Sequence, residues 1–349
     1  MNEGKAPPLR IEIWPTNKCN LRCLFCREIL PRTESEIPEK RLICLLKEAA
    51  EMGVEECFIG GGGEPFMRKR TTLSLIKLSK QLGLSCFVNT NGTLLLKKDI
   101  KKIVDLGLDE IAISISGFGS IHDFLVNKRG AFKRIEKTLL FFNKFKKEKN
   151  KDIPRISIWT VLTNKNFNKI RSLIEFTHRY NISTILFFSM RVNFPAAEKL
   201  KMKEEEITEF MKIKEDAETL LKKYRINSNL PEFVNKKFIE WSDDVGKILL
   251  SSISKKKNFF SIPCYEPWYY VTITPTGKVG PCAALSMKST ISVDSGKMEE
   301  IWYSEYFNRI RQQLFSHNIS GICEKCCIDK IFESERIRAY LKKQFIKDS

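Results

Sequence analysis

The chain has 349 residues, 42% of them hydrophobic, with a formal net charge of +18; that length buries a sizeable core in about two domains. No apolar run is long enough to span a membrane and the opening MNEGKAPPLR lacks the apolar stretch of a signal peptide, so the expected location is the cytoplasm. The positive excess is mostly Lys, as over 144–151 and Lys255–Lys257, without interleaved aromatics; it reads as solvated surface and not as a nucleic-acid footprint.

In chain order, short β-branched runs alternate with longer helical patterns. Strands are expected over 10–14, 56–60, 84–89, 110–116, 155–162 and 183–189, and helices over 39–52, 71–82, 97–106, 131–145 and 167–180. Strand then helix, repeated about six times, argues for an α/β protein whose parallel sheet is covered by crossover helices, either an open doubly wound sheet or a partial barrel. In both, ligands gather at the C-terminal edge of the strands. The unusual residues fall there: Cys19 after the first strand, GGGGEP over 60–65 after the second, NTNG over 89–92 after the third, Ser114 and Ser116 closing the fourth, and Arg191 after the sixth. From 196 the pattern changes to a long charged amphipathic helix with Leu200, Ile207, Phe210, Met211 and Leu221 on its apolar side, a connector or lid. After it come an alternating stretch with a PTGK turn, expected to form a β-hairpin, a helical pattern over 299–314, and a closing helix over 333–345.

Eleven cysteines are many for a reducing compartment, where clustered thiols bind metal or react. Cys44, Cys57 and Cys86 stand singly in apolar surroundings and are expected to be buried small hydrophobes. Cys19, Cys23 and Cys26 lie within eight residues. Three thiolates hold iron or zinc, but a structural zinc site wants four ligands, and none of the three histidines, His122, His178 and His317, is near in sequence. A cluster held by three cysteines keeps one iron open to another ligand. Later in the chain Cys264 and Cys282 flank the hairpin and Cys323 and Cys326 form a CxxC pair, a complete four-ligand set for an iron-sulfur cluster or a zinc knuckle.

The stretch CNLRCLFC resembles the CxxxCxxC signature of radical S-adenosylmethionine (radical SAM) enzymes, including Phe25 before the last cysteine. The resemblance implies a partial (β/α)6 TIM-type barrel over 1–195, with Cys19, Cys23 and Cys26 holding a 4Fe-4S cluster whose fourth iron chelates S-adenosylmethionine, reduced by a donor such as flavodoxin or ferredoxin. It further implies cofactor contacts from Phe25, Gly62, Gly63, Glu64, Asn89, Asn91, Ser114, Ser116 and Arg191. The second cysteine group resembles the SPASM and Twitch extensions of such enzymes, including the Gly277-x4-Cys282 spacing. That implies a small α+β domain over 259–330 with one auxiliary 4Fe-4S cluster on Cys264, Cys282, Cys323 and Cys326, preceded by a helical connector over 196–258 and followed by a C-terminal helix over 331–349. Cys327 is a spare thiol, a substitute ligand or a hydrogen-atom donor, and His122, Asp123 and Glu266 are candidate bases. Relatives act on ribosomally made peptides, sulfatase cysteine or serine residues and aminocyclitol sugars, so a peptide or sugar-like substrate is expected. With the first strand about ten residues in, the leader-binding domain that peptide-modifying relatives frequently carry before the barrel is not expected, which weakens a peptide substrate without excluding it, since a separate protein could bind the leader. RNA modification and a zinc-stabilised binding protein are the alternatives.

Overall fold

The structure, a computed structural model, describes residues 6–26, 35–190, 195–233, 259–318, 321–324 and 328–345. Arg191, Cys326, Cys327 and the second part of the expected connector, residues 234–258, lie outside them. The six expected strands are β1 Arg10–Ile13, β2 Glu56–Ile59, β3 Ser85–Thr90, β4 Glu110–Ser114, β5 Arg155–Leu162 and β6 Thr184–Ser189. Between them run α1 Glu39–Glu51, α2 Lys69–Gln81, α3 Lys97–Leu106, a short α4 Ser120–Leu125, α5 Ala131–Glu148 and α6 Ile170–Arg179. No helix was expected at α4; six residues carry too little periodicity to read as one.

One local device recurs. Helices α1, α2, α3 and α6 each end on a left-handed residue, Gly53, Gly83, Gly107 and Asn181, with φ of +99°, +75°, +73° and +55°. The next residue in each case is buried: Val54, Leu84, Leu108 and Ile182. Its N–H reaches back five residues, to the carbonyls of Ala49, Ser79, Ile103 and Thr177 at 3.1, 2.9, 3.4 and 3.0 Å. This closes the last helical turn and seats an apolar side chain just before the strand that follows.

The chain divides into two compact units. One comprises Trp14–Glu34 and Phe58–Trp241. Within it β3, β4, β5 and β6 pair in sequence order, all parallel, with Asn89 opposite Ala112 and Ser114 opposite Trp159. Alternation sorts the side chains into two faces. Val88, Ile111, Ile113, Ile156, Ile158, Ile185 and Phe187 are buried on one. On the other, Phe58, Phe87, Trp159 and Phe188 form a ladder of half-buried rings with successive centroids 4.8, 5.5 and 5.1 Å apart. The expected long helix from 196 is two, α7 Pro195–Glu198 and α8 Glu204–Tyr224. Glu206 accepts from the Lys203 N–H at 2.7 Å and so starts α8 afresh.

The other unit comprises Met1–Ile13, Ser35–Cys57 and Ser242–Ser349. Its strands β7 Tyr270–Ile273 and β8 Val279–Gly280 make the expected antiparallel hairpin. Its strand β7 also pairs in parallel with β1, Arg10 opposite Tyr270 and Ile13 opposite Ile273. Helix α1 is tied to the same segment, where Arg41 donates to the Val293 carbonyl at 2.7 Å and Glu48 accepts from the Met298 N–H at 2.9 Å. Just before the hairpin is α9 Glu266–Tyr269, and after it come α10 Ala283–Met287, α11 Met298–Trp302, α12 Glu305–Phe315, α13 Gly321–Glu324 and α14 Ile328–Phe345. The pattern read as one helix over 299–314 is thus interrupted at Ser304. Cys57 and Cys86 are buried as expected. Cys44 is exposed, because α1 turns Leu42, Leu45, Leu46 and Ala49 inward and leaves position 44 facing outward.

Candidate functional site

The chain leaving β1 and the glycine run leaving β2 are laced together by backbone hydrogen bonds. Gly63 N–H donates to the Thr16 carbonyl at 2.7 Å and Glu64 N–H to that of Lys18 at 2.8 Å. The approach is close enough to demand glycine: a Cβ on Gly61 would meet Trp14 Nε1 at 2.1 Å, and one on Gly63 would meet the Lys18 carbonyl oxygen at 2.1 Å. The Glu64 carboxylate, 2% exposed, carries the lacing on to β3. Its Oε1 accepts from Thr90 Oγ1 at 2.7 Å and Phe66 N–H at 3.1 Å, and its Oε2 from Asn91 N–H at 2.7 Å. Burial raises the Glu64 carboxyl above the usual carboxylate range, against these three donors. Expected as a cofactor contact, Glu64 spends these bonds on the protein itself.

That frame presents the cysteine stretch. Asn91 Nδ2 donates to Asn20 Oδ1 at 3.0 Å and lies 4.0 Å from Cys19 Sγ, while Leu21 N–H approaches the same sulfur at 3.4 Å. Asn20 in turn donates to Thr93 Oγ1 at 2.8 Å. Asn20 and Thr93 were not anticipated; each sits one residue beside a singled-out position, which is the only signal the sequence held. Arg22 donates to the carbonyls of Cys19 and Leu21, both at 2.8 Å. Burial, followed by the charges of Cys26 and Cys19, pushes the Cys23 thiol well above the ordinary cysteine range. Burial also raises Cys19, with a further push from Glu64. The Cys23 thiol therefore feels the charge of both its neighbours in the group. Among the described residues no three His, Cys, Asp or Glu side chains converge tightly enough for a single ion. Three soft thiol ligands beside amide donors suit an iron-sulfur cluster. Phe25 packs with Leu24 against Leu125, Met190 and Leu200.

Farther along the same strand edge, the candidate bases take other roles. Asp123 Oδ2 accepts from Gly130 N–H and Oδ1 from Phe132 N–H at 2.9 Å, so both oxygens cap the start of α5. His122 is 1% exposed, and its Nδ1 accepts from Ser116 N–H at 3.0 Å. Burial lowers it to about 4, partly offset by Asp123, so the ring is neutral and its proton sits on Nε2. With that lone pair engaged, His122 is a poor base. Ser114 is half-buried and Ser116 buried. Asn166 Nδ2 bridges the carbonyls of Ser116 and Val161 at 2.7 and 2.8 Å, holding the ends of β4 and β5 together. Asn89 Nδ2, Trp14 Nε1 and Trp159 Nε1 are buried without a hydrogen-bond partner, so this face of the unit keeps donors to offer.

In the other unit Cys264, Cys282 and Cys323 form the second group. Burial, then the charge of Glu266 and those of Cys282 and Cys323, raises Cys264 well above the ordinary cysteine range. Cys264 packs against Ile262, Tyr265, Ile310 and Leu314. Cys282 precedes α10, and its carbonyl accepts from Ser286 N–H at 2.9 Å. Three soft thiols under mutual influence again fit iron-sulfur ligation. Glu266, the third candidate base, is 2% exposed and accepts from Tyr269 O–H at 2.8 Å. It therefore belongs with this group, in a different unit from His122, Asp123 and Cys19.

Comparison with known proteins agrees with both cysteine groups. Residues 13–177 match the family model of the Radical SAM superfamily, and residues 264–327 match SPASM, an iron-sulfur cluster-binding domain. The PqqA peptide cyclase of Rhizobium meliloti is 23% identical over 339 residues, 93% of this chain and 81% of that protein. The Fe-coproporphyrin III synthase of Methanosarcina barkeri is 29% identical over 127 residues, 35% of this chain and 31% of the relative. Several curated relatives are matched, like this one, over less than half of their own length. Among solved structures, Streptococcus suis SuiB bound to S-adenosylmethionine shares the fold, with a TM-score of 0.65 and 19% identity over 92% of this chain and 72% of that one.

Proposed function

From the premise that this chain is a radical SAM enzyme with a SPASM iron-sulfur cluster-binding domain, we propose that it removes a hydrogen atom from an unactivated carbon of a peptide substrate. The enzyme class brings S-adenosylmethionine and a 4Fe-4S cluster, and the SPASM domain brings auxiliary iron-sulfur binding. The observation that carries the reading is the trio Cys19, Cys23 and Cys26, its Cys19 sulfur set beside the Leu21 N–H and the Asn91 carboxamide on a frame that Gly63 and Glu64 lock in place. When bound there, a reduced cluster with S-adenosylmethionine supplies a 5'-deoxyadenosyl radical.

The residues of this chain do the rest. Cys19, Cys23 and Cys26 would hold the cluster, and Leu21 N–H and Asn91 Nδ2 would temper the charge on the Cys19 sulfur. The unpartnered amide of Asn89 would orient a bound acceptor group. Cys264, Cys282 and Cys323, with Cys326, would hold the auxiliary cluster, which in this role serves electron transfer. Cys327, next in sequence to Cys326, would be a spare thiol. The peptide assignment follows the PqqA peptide cyclase, whose match runs through nearly all of this chain.

The test offers anaerobically prepared, dithionite-reduced protein S-adenosylmethionine and peptides from neighbouring genes, carrying deuterium on side-chain carbons, with sugars in parallel. Peptide-dependent deuterium in 5'-deoxyadenosine is the expected result. Transfer only from sugars would overturn the peptide assignment, and no transfer from either would overturn the reaction.

A further inference from the structure

Short helix α4 holds the cysteine stretch by its backbone. Arg22 N–H donates to the Val126 carbonyl at 3.2 Å and Leu24 N–H to that of Leu125 at 2.8 Å. Two amides lying between Cys19 and Cys26 thus pair with carbonyls at the end of α4, where a helix has no donors of its own. Side chains reinforce the contact. Leu21 packs with Val126 and Ala131 beside Cys19 and Cys23, and Leu24 and Phe25 pack against Leu125.

While Asp123 ties α4 to α5, its neighbour His122 ties α4 to the edge of β4. His122 accepts from Ser116 N–H through Nδ1 at 3.0 Å and is 1% exposed. Ser116 is itself fixed, since its carbonyl accepts from Asn166 Nδ2 at 2.7 Å. A continuous line of contacts therefore runs from the end of β4 through Ser116, His122 and α4 to the amides of Arg22 and Leu24. A buried N–H left without its acceptor carries the full desolvation penalty, so removal of the imidazole would free α4 from the strand edge.

We propose that His122 is a positioning residue for the three-cysteine stretch, transmitting the rigidity of the β4 edge through α4 to the segment that carries Cys19, Cys23 and Cys26. The inference rests on the reading of those cysteines as cluster ligands, but its first test is independent of any cluster. Asn can offer Oδ1 to the Ser116 N–H much as Nδ1 does; Leu cannot.

In the cluster-free protein, His122→Leu should exchange the Arg22 and Leu24 amide hydrogens about tenfold faster, while amides of β3–β6 stay protected and His122→Asn stays near the parent chain. After reconstitution, the spectrum of the first reduced cluster should shift in His122→Leu and return in His122→Asn, with the SPASM signal unmoved in both. His122→Gln, whose oxygen lies one bond too far out, replaces the leucine variant if that chain does not fold, with the same expectation. Unchanged exchange at Arg22 and Leu24, equal acceleration throughout the sheet, or an asparagine variant no better than leucine would overturn the proposal. The expected exchange in the variants, together with a parent chain that takes up no iron, would overturn the cluster reading alone.

Discussion

Neighbours in sequence, His122 and Asp123 do different work, and substitution separates them. Asp123 caps α5 with both oxygens, so Asp123→Ala should cost about 1 kcal/mol in denaturant unfolding. S-adenosylmethionine cleavage should persist in that variant; its abolition would restore Asp123 as the base. His122 titrates near 4 in the folded chain against an ordinary 6.5. Between those values the unfolded chain binds more protons, so the stability due to His122 is complete above pH 6.5 and lost as the pH falls towards 4. The difference amounts to about 3 kcal/mol. Unfolding of the cluster-free protein at several pH values should show that slope, and His122→Asn should lack it. These roles were not legible in the sequence, because an "HD" pair carries the same letters whether it caps a helix, braces a loop or moves a proton. The cysteines were legible, because few roles other than metal binding gather three thiols in eight residues.

Strands and most helices were legible because β-branched runs and a 3.6-residue period are local signals. The boundaries that were missed have local causes too. Helix α4 is too short to show a period, and α7 and α8 read as one helix because the capping carboxylate of Glu206 sits inside an unbroken charged run. The recurrent Gly-plus-apolar ending of α1, α2 and α3 was present in the letters MGV, LGL and LGL. It allows two glycine positions to be contrasted. Gly83→Ala meets no neighbour within 4 Å and suffers only its left-handed φ of +75°, so it should cost about 1 kcal/mol. Gly63→Ala would drive a carbon to 2.1 Å from the Lys18 carbonyl oxygen. It should part the β1 and β2 extensions and abolish iron uptake at the first site, measured as iron per chain, with the second site still loaded. Full uptake in Gly63→Ala would contradict the close approach.

At the scale of the whole molecule, β1 belongs with the C-terminal hairpin through its parallel pairing to β7. That pairing joins residues some 260 positions apart, as Arg10 opposite Tyr270 shows, and no local pattern announces it. Each unit carries one cysteine group: Cys19, Cys23 and Cys26 in one, and Cys264, Cys282 and Cys323 in the other. No described helix is long and apolar enough to cross a membrane. The claim on which the account turns is that Cys19, Cys23 and Cys26 hold a cluster that engages S-adenosylmethionine. Electron paramagnetic resonance of the anaerobic, dithionite-reduced protein tests it, recorded with and without S-adenosylmethionine and beside Cys23→Ala. The account predicts about eight irons in the parent chain, as two four-iron clusters require. It also predicts one signal that shifts with S-adenosylmethionine and vanishes in Cys23→Ala, together with all 5'-deoxyadenosine formation. A colourless chain holding zinc, or a Cys23→Ala chain that still cleaves S-adenosylmethionine, would contradict it.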